Sequence, residues 1–282
     1  MTVPFAVVTD STADIPSCLA AERQIYSAPM HIIWDNKNLR DGIDITSQVF
    51  YERLTQSQST PTTSQPTLSE FAEIFQRARD ETNAAAVLVL TISAKLSGTY
   101  NAARQAAQLV DFPVHAIDSQ TGSLAHGLVA LALSDIRDTG VDALTAIQQA
   151  QQLAAHTKMI FGLNTLEYLY RSGRVNNLQR LLGTALRIKP VLHVKEGGIT
   201  LREQVRTRSR QIEHLHTIFD AVVDHNKPLR VGVLHGNAQE EMMAFVESIK
   251  ARWQIDQLVT NTVCAPVGVH TGPGSLGFAI LQ

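Results

Sequence analysis

The sequence predicts an α/β protein of two domains, an N-terminal doubly wound, mostly parallel sheet and a C-terminal α/β unit. Strand-length apolar runs alternate with amphipathic helical stretches up to about residue 158, and past that point the order of strands and helices changes. The chain has 282 residues, of which 44% are hydrophobic, so it is long and apolar enough for two cores. We therefore expect domains at residues 1–158 and 159–282.

The first elements are predicted from short apolar runs and the turn residues between them. The run "VPFAVVTD" at 3–10 predicts a buried strand, and the following "STADIPSCLAAERQ" predicts a turn into a short helix. One further strand is expected over "IYSAPMHIIW" at 25–34, with a turn over "DNKNLRDG" at 35–42. A helix capped by Thr46 is expected next.

The remaining elements complete the alternation in the first half and supply a second set of strands. The polar stretch 55–67 predicts a loop. The other expected elements are a helix over 68–81, a strand over 85–92, a helix from about Tyr100, a strand over "VHAIDS", helices over 127–138 and 141–157, strands over 158–164, 186–201, 229–236 and 257–270, and helices over 207–225 and 238–252.

Composition excludes several classes of protein. The net charge of −2 gives no general affinity for nucleic acid. The N-terminus lacks a secretory pattern, and the apolar runs fall short of the roughly 18 residues of a membrane helix. Cys18 and Cys264 form neither a disulfide framework nor a zinc pattern, and no metal site emerges from the ten histidines. We expect a cytoplasmic protein without stable membrane insertion.

Positive charge is concentrated in one segment. Between Arg171 and Arg210 the chain has ten lysines and arginines but only two acidic residues, Glu196 and Glu203. Such a segment is either a solvated face with intramolecular pairs or a docking face for an acidic partner or a phosphate.

Asp10 and Ser97 are the candidate nucleophiles. Asp10 ends the first strand, as the phosphoryl-accepting aspartate of haloacid-dehalogenase enzymes does, but the second aspartate of that pattern is replaced by Thr12. Ser97 lies outside any G-x-S-x-G elbow. The patterns favour capping over catalysis for both side chains, Asp10 in its own turn and Ser97 at the start of the following helix.

Hydroxyl groups, an imidazole and helix-start amides recur in the loops around the strands. They occur in "VTDSTADIP", "PTTSQPT", "TISAKLSGTY" and "VGVHTGPGSLGF", where His270 is expected to follow an apolar strand. This set of donors suits a carboxylate, and it lacks an evident series of base, nucleophile and orienting residue. The loops therefore favour holding an anion over reacting with it.

The ordered motifs resemble those of the DegV family, bacterial fatty-acid-binding proteins that include the FakB subunits of fatty acid kinase. The similarity runs nearly end to end. It is carried by "TDSTADIP", "PTTSQP", "ISAKLSGTYNAA", "DSQTGSLAHG", "LEYLYRSGRV", "IKPVL", "VRTRSR" and "HTGPGSLG". The chain departs from the pattern at Ser172, where many relatives have glycine, and in "NNLQRLLGTAL".

The resemblance implies a long-chain fatty acid enclosed between the two domains, as the ligand rather than a cofactor. Its carboxylate would be held by Thr63, Ser97 and His270, with Ser93 as a second-choice contact and help from the Gly98 amide. The protein would be a carrier and not an enzyme, because the family relies on a separate kinase subunit to phosphorylate the bound acid for phospholipid synthesis.

The same resemblance gives the basic segment a candidate role. The residues expected to meet the kinase are Arg171, Arg174, Arg206 and Arg208. Two alternatives remain open. One is a hydrolase or phosphatase that uses Ser97 with His270, or Asp10, and the other is a lipid sensor or storage protein without a kinase partner.

Overall fold

The computed structural model describes residues 3–174 and 188–282. Their strands are β1 (Ala6–Asp10), β2 (Ile25–Ala28), β3 (His31–Trp34), β4 (Lys37–Arg40), β5 (Thr62–Ser64), β6 (Val87–Thr91), β7 (Val114–Asp118), β8 (Lys158–Gly162), β9 (Lys189–Lys195), β10 (Gly198–Val205), β11 (Arg230–Gly236), β12 (Gln257–Thr262) and β13 (Ser275–Leu281).

The α-helices of the described residues are α1 (Ser17–Glu22), α2 (Ser47–Gln56), α3 (Leu68–Thr82), α4 (Thr99–Ala106), α5 (Leu124–Asp138), α6 (Ala143–His156), α7 (Glu167–Arg171), α8 (Arg208–Val222), α9 (Gln239–Lys250) and α10 (Ala265–Thr271). Short 3-10 turns cover Ser11–Ala13 and Ala107–Leu109. The predicted cap of α2 is confirmed, because Thr46 Oγ1 accepts a hydrogen bond from the Val49 amide at 3.3 Å.

The N-terminal sheet is parallel and doubly wound, which confirms the predicted fold class. Its four strands lie in the order β2-β1-β6-β7 and all pair in parallel. Val7 and its neighbours on β1 are buried on both faces, as expected when helices cover both sides. Helices α3 and α4 cover one face and α5 covers the other.

The second sheet is mixed and has six strands in the order β10-β9-β8-β13-β11-β12. Of its pairs, only β11 with β12 is parallel. Helices α8 and α9 pack on one face through a core that contains Phe219 and Phe245. The predicted second α/β unit is therefore present, whereas the domain boundary after residue 158 remains a prediction.

Residues 25–67 form more strands than the sequence predicts. The single strand expected over 25–34 is two, β2 and β3, which belong to different sheets. Pro29 lies between them, and a proline without an N–H group interrupts a ladder. The expected turn over 35–42 contains β4, and the expected loop over 55–67 contains β5. Both pair with β3, so tertiary pairing and not local propensity makes them strands.

The last strand is a further correction. The stretch "VGVHTGPGSLGF" is expected to be a polar loop, but β13 begins within it at Ser275 and is buried along its whole length. It lies between β8 and β11 in the middle of the six-stranded sheet. A strand buried on both faces is uniformly apolar, so it lacks the alternation that identifies an exposed strand.

Helix α5 packs against both large sheets. It contacts β1, β2 and β6 of the parallel sheet and β8, β11 and β13 of the mixed sheet. Every residue from Leu124 to Ser134 is buried. A helix that is apolar on all sides can be stable only in such a position, because no face of it favours water.

Two glycines allow α5 to approach its neighbours closely. A side chain on Gly127 would collide with the Ala13 carbonyl oxygen in the turn after β1. A Cβ atom on Gly232 of β11 would stand 2.9 Å from Cβ of Leu124. The buried His126 joins α5 to the parallel sheet, since its Nε2 lies 2.7 Å from Thr9 Oγ1 and 2.9 Å from the Leu90 carbonyl oxygen.

We expect Leu128→Ala to lower the free energy of unfolding by about 2–5 kcal/mol, because Leu128 is fully buried on α5 and its removal leaves a cavity. The matched control is Leu144→Ala on α6, where the side chain is 65% exposed and the change should stay within about 0.5 kcal/mol. Urea denaturation of both variants measures the difference. Equal effects would contradict a central role for α5.

Candidate functional site

The cavity that holds the predicted site lies beyond the carboxyl ends of the parallel strands. The chain leaves β1 toward β2 on one side, and β6 lies on the other side of β1. This reversal is the topological switch point, where open α/β sheets bind ligands. Loops that follow β1, β6 and β7 supply Thr12, Ser97 and Ser123 to the cavity lining.

The lining is mostly apolar. Its aliphatic, aromatic and thioether side chains are those of Met30, Ile92, Leu96, Met159, Phe161, Leu169, Val194, Ile199, Leu234, Val263, Pro266, Val267 and Leu276. The cavity is narrow, since its volume is about 100 Å³ within an open space of about 870 Å³ that includes solvent. Such a shape suits a long, thin apolar ligand.

Three of the predicted site residues line this one cavity although they are distant in sequence. Thr63 is on β5, Ser97 lies in the loop before α4, and His270 is in the last turn of α10. Thr63 Oγ1 and His270 Nε2 are 3.1 Å apart, and Ser97 Oγ is 2.7 Å from Thr99 Oγ1. The structure thus brings Thr63, Ser97 and His270 together.

His270 is on a helix and not after a strand, which corrects the sequence expectation. The stretch after β12 forms α10, a short and largely buried helix with a proline in its first turn. Because its exposed face is small, its sequence is almost wholly apolar and cannot be told from a buried strand by periodicity.

The imidazole of His270 is neutral across the physiological pH range. Burial and, to a smaller extent, the nearby Arg174 guanidinium lower its pKa to about 3. Within residues 3–174 and 188–282, its buried Nδ1 atom has no hydrogen-bond partner. A neutral imidazole that shares Nε2 with Thr63 can present Nδ1–H to an acceptor in the cavity.

Arg174 also lines the cavity, although the sequence analysis placed it on a partner-binding face. Its Nε–H points at the Leu96 carbonyl oxygen at 3.5 Å, and its guanidinium donates to the Ser172 carbonyl. Partial burial lowers the pKa of Arg174 from its ordinary value, yet arginine stays protonated. The sequence shows only a basic segment here, and the fold decides which of its cations faces the cavity.

Ser93 and Gly98 flank the site without lining the cavity. The buried Ser93 hydroxyl donates to the Gly197 carbonyl at 2.8 Å and so holds the β9–β10 turn against the loop that carries Ser97. Gly98 caps α4 and packs against the Gln65 side chain. Their predicted part in ligand binding remains a prediction.

The other predicted partner-binding arginines differ in their surroundings. Arg171 pairs with Glu167, and Arg208 pairs with Glu241 and donates to Gln211. Arg206 is exposed, and its side chain has no hydrogen-bond or ion-pair partner among the described residues. Arg180, Arg187 and the "NNLQRLLGTAL" segment lie outside the described residues.

Three buried aspartates, Asp10, Asp14 and Asp41, hold backbone segments around the site. Asp10 accepts hydrogen bonds from the amides of Thr12 at 3.0 Å and Ile92 at 2.8 Å, which ties the first two site loops together. Both of its oxygens are thus engaged, as expected of a capping residue. Ser97 Oγ contacts Thr99 and not His270, so these residues form no nucleophile–base pair.

Asp14 and Asp41 hold the start of α10, and the sequence analysis missed both roles. Asp14 accepts from the Cys264 amide at 2.8 Å, and Asp41 accepts from the next amide, that of Ala265. Burial raises the pKa of Asp14 to about 6 and that of Asp41 to about 7. No spacing pattern identifies them, because their partners lie more than 200 residues away in sequence.

Two general features bear on the class of protein. In the part of the chain that the structure describes, no three His, Cys, Asp or Glu side chains form a group that could hold a metal ion. Over the same residues, every helix is too short or too polar to cross a bilayer.

Comparisons of the sequence and of the fold identify known proteins that are similar to this chain. The model of the DegV family, described as uncharacterised, matches residues 4–282. The protein DegV of Bacillus subtilis is 30% identical over 275 residues, with 97% of each chain covered. The chain belongs to the DegV family.

Solved structures with the same fold include proteins described by their fatty-acid ligands. A DegV family protein of Thermus thermophilus, described by its fatty acid binding, is 30% identical, with a TM-score of 0.91 and 99% of each chain covered. A stearic-acid-binding protein of Eubacterium ventriosum is 25% identical, with a TM-score of 0.91 and 99% and 98% of the two chains covered. Fatty acid binding is thus part of the description of both of these similar proteins.

The raised pKa values of Asp14 and Asp41 predict a pH dependence of stability. In the unfolded chain these two carboxyls ionise near pH 4, so the folded state binds more protons between about pH 4 and 7 and the free energy of unfolding falls as pH rises through that window. Asp41→Asn lacks one of these carboxyls. Its free energy of unfolding should therefore rise by at least about 1 kcal/mol relative to that of wild type as the pH goes from 5 to 8.

Urea denaturation at pH 5 and pH 8 measures this effect. The control is Asp44→Asn, because Arg40 lowers the pKa of the Asp44 carboxyl to about 2 and it does not titrate in this window. This control should keep the wild-type slope. Parallel slopes for wild type and Asp41→Asn would contradict the prediction.

Proposed function

We propose that this protein binds one long-chain fatty acid in the cavity and presents its carboxylate to a separate kinase. The proposal is carried by the narrow apolar cavity, whose lining includes a polar cluster of Thr63, Ser97, His270 and Arg174. The fatty acids in the descriptions of its relatives support the same ligand class.

The apolar lining supplies most of the affinity. A sixteen-carbon acid buries about fourteen methylenes at about 0.8 kcal/mol each, a gross gain of roughly 11 kcal/mol. Lost translational and conformational freedom offsets part of this gain. The polar cluster then determines which end of the ligand reaches the mouth, because a carboxylate buried among apolar side chains without donors would cost several kcal/mol.

The donors of the cluster suit an anion. Ser97 and Thr63 offer hydroxyl groups, and the neutral His270 offers one N–H group. Because His270 is uncharged, Arg174 is the only cation of the lining within the described residues, and its charge compensates that of the carboxylate.

The kinase step requires that the reacting carboxylate oxygen lie at the mouth of the cavity, where the partner kinase can reach it. That oxygen attacks the γ-phosphorus of ATP held by the partner kinase, the bond to the β–γ bridging oxygen breaks, and ADP leaves as the acyl phosphate forms. Nothing in this step requires a nucleophile or base from the carrier. The proposal rests on the family resemblance and on the exposed Arg206 as a partner contact.

The protein purified from cells is expected to release about one equivalent of a C14–C18 fatty acid. Native mass spectrometry before and after denaturation measures the amount and identity of the released acid. A protein that is empty, and stays empty after incubation with palmitate and oleate, would contradict the proposal and favour tests of Ser97 and Asp10 as catalysts.

The site assignment is checked with the same protein. Ser97→Ala should bind palmitate with a modest loss, yet form acyl phosphate much more slowly with the kinase, because the tail still binds while the carboxylate is misoriented. Ser64→Ala is the matched control, since the Ser64 hydroxyl donates to the Gln65 carbonyl and lies outside the lining. Equal losses of binding and turnover in Ser97→Ala would contradict an orienting role.

Arg206→Glu should lower acyl-phosphate formation at least tenfold while the bound lipid is retained, because it reverses an exposed charge on the proposed docking face. The control is Lys250→Glu on α9, another exposed cation. A coupled kinase assay measures turnover, and native mass spectrometry measures lipid content. Unchanged turnover in Arg206→Glu, with lipid bound, would contradict Arg206 as a kinase contact, whereas no turnover with wild type would favour a storage or sensor protein.

A further inference from the structure

One hairpin of the mixed sheet forms part of the cavity wall. Strands β9 and β10 are joined by a two-residue turn, Glu196-Gly197, in which both residues have positive φ, as in a type I′ turn. The second cross-strand pair from this turn, Val194 and Ile199, lines the cavity. We call residues 194–199 the hairpin tip.

The hairpin tip is supported by the sheet on one side only. β10 is an edge strand whose residues are all at least partly exposed, whereas β13 in the middle of the sheet is buried along its whole length. The pairing of β9 with β8 ends at Val194, so the turn projects past the strand behind it. The register of β10 is also irregular between Leu201 and Glu203, and strands bend at such places. The tip can therefore move away from the cavity more easily than a central strand can.

One side-chain contact holds the hairpin tip against the other side of the cavity. The fully buried Ser93 hydroxyl donates to the Gly197 carbonyl oxygen at 2.8 Å and accepts from the Lys95 amide at 3.2 Å. In the described part of the chain, no other hydrogen bond joins residues 189–205 to residues 3–157. The Ser93 carbonyl oxygen also accepts from the Ser97 amide at 3.1 Å. Ser93 therefore fixes both the loop that carries Ser97 and the tip.

Gly197 leaves just enough room for this contact. A Cβ atom at this position would stand 2.6 Å from Ser93 Oγ, a distance at which one of the two must shift. Its φ of +78° also disfavours a side chain. Alanine at position 197 would push the tip away from Ser93, whereas removal of the Ser93 hydroxyl would release the tip without strain.

A long acyl chain needs a wall that moves. Because the cavity is narrow and its side chains are closely packed, a long ligand can enter and leave only where part of the wall gives way. We propose that the hairpin tip is this part, and that the hydrogen bond from Ser93 to Gly197 is the latch that keeps it closed. The proposal rests on the proposed fatty-acid binding and makes Ser93 a positioning residue and not a ligand contact.

The test measures both rate constants of exchange for a fluorescent fatty acid, cis-parinarate. Stopped-flow mixing with lipid-free protein gives the association rate constant, and displacement by excess oleate gives the dissociation rate constant. In Ser93→Ala both should rise about fivefold, the factor expected of one neutral hydrogen bond, while Kd stays within about twofold of wild type. The Kd is kept because the latch must open for entry and for release alike.

Gly197→Ala breaks the same contact from the hairpin side and should also raise both rate constants. Gly140→Ala is its matched control, because Gly140 has a similar φ of +81° and no neighbouring atom within 4 Å of an added Cβ. Ser119→Ala is the control for Ser93→Ala. The Ser119 hydroxyl is fully buried and accepts from the amide two residues on, but it donates within its own loop, to the Thr121 carbonyl oxygen. Both controls should exchange the ligand at wild-type rates.

The outcomes separate the two proposals. If only dissociation is faster in Ser93→Ala, so that Kd weakens by the same factor, Ser93 stabilises the bound ligand and the latch is overturned. Unchanged rate constants in Ser93→Ala and Gly197→Ala would overturn it as well. If neither cis-parinarate nor oleate binds wild type, the proposed function fails and the latch fails with it.

Discussion

The burial of α5 between the two large sheets is the constraint on which the rest of the structure depends. The parallel sheet packs on one side of this helix and the mixed sheet on the other. Gly127 and Gly232 make the approach close, and the buried His126 ties the helix to β1 and β6. Ser123, at the start of the helix, lines the ligand cavity, so the packing of α5 also places part of the site. Because sheets cover the helix on both sides, its residues 124–134 have no face in contact with water and form no polar face.

Helix α10 connects the buried carboxyls to the candidate site. Asp14 and Asp41 accept the amides at its start, and His270 lies in its last turn. A seven-residue helix has little stability of its own, so its position depends on these contacts and on Phe50 and Tyr51 of α2 packed against Gly268. The polar groups of the site are thus held by side chains that never reach the cavity.

Among the described residues, the cavity lining is neutral except for the guanidinium of Arg174. His270 remains uncharged because burial and Arg174 both lower its pKa, whereas Arg174 keeps its charge beside it. A single cation is enough to balance one carboxylate, and a second would repel the first in an environment of low polarity. The narrow apolar remainder favours an elongated tail. Charge and shape therefore describe the same kind of ligand, an amphiphile with one acidic end.

The sequence by itself determined the α/β class, the order of most helices, the caps such as Thr46, and Thr63, Ser97 and His270 as candidates, because these depend on local periodicity and on motifs. Only the tertiary structure decided that β4 and β5 are strands, that β13 is central, and that His270 is helical, since pairing and complete burial remove the local patterns. It also decided that Arg174 faces the cavity while Arg206 is exposed, and that Asp14 and Asp41 support α10. Those roles arise from contacts between residues far apart in the chain, which no local pattern encodes.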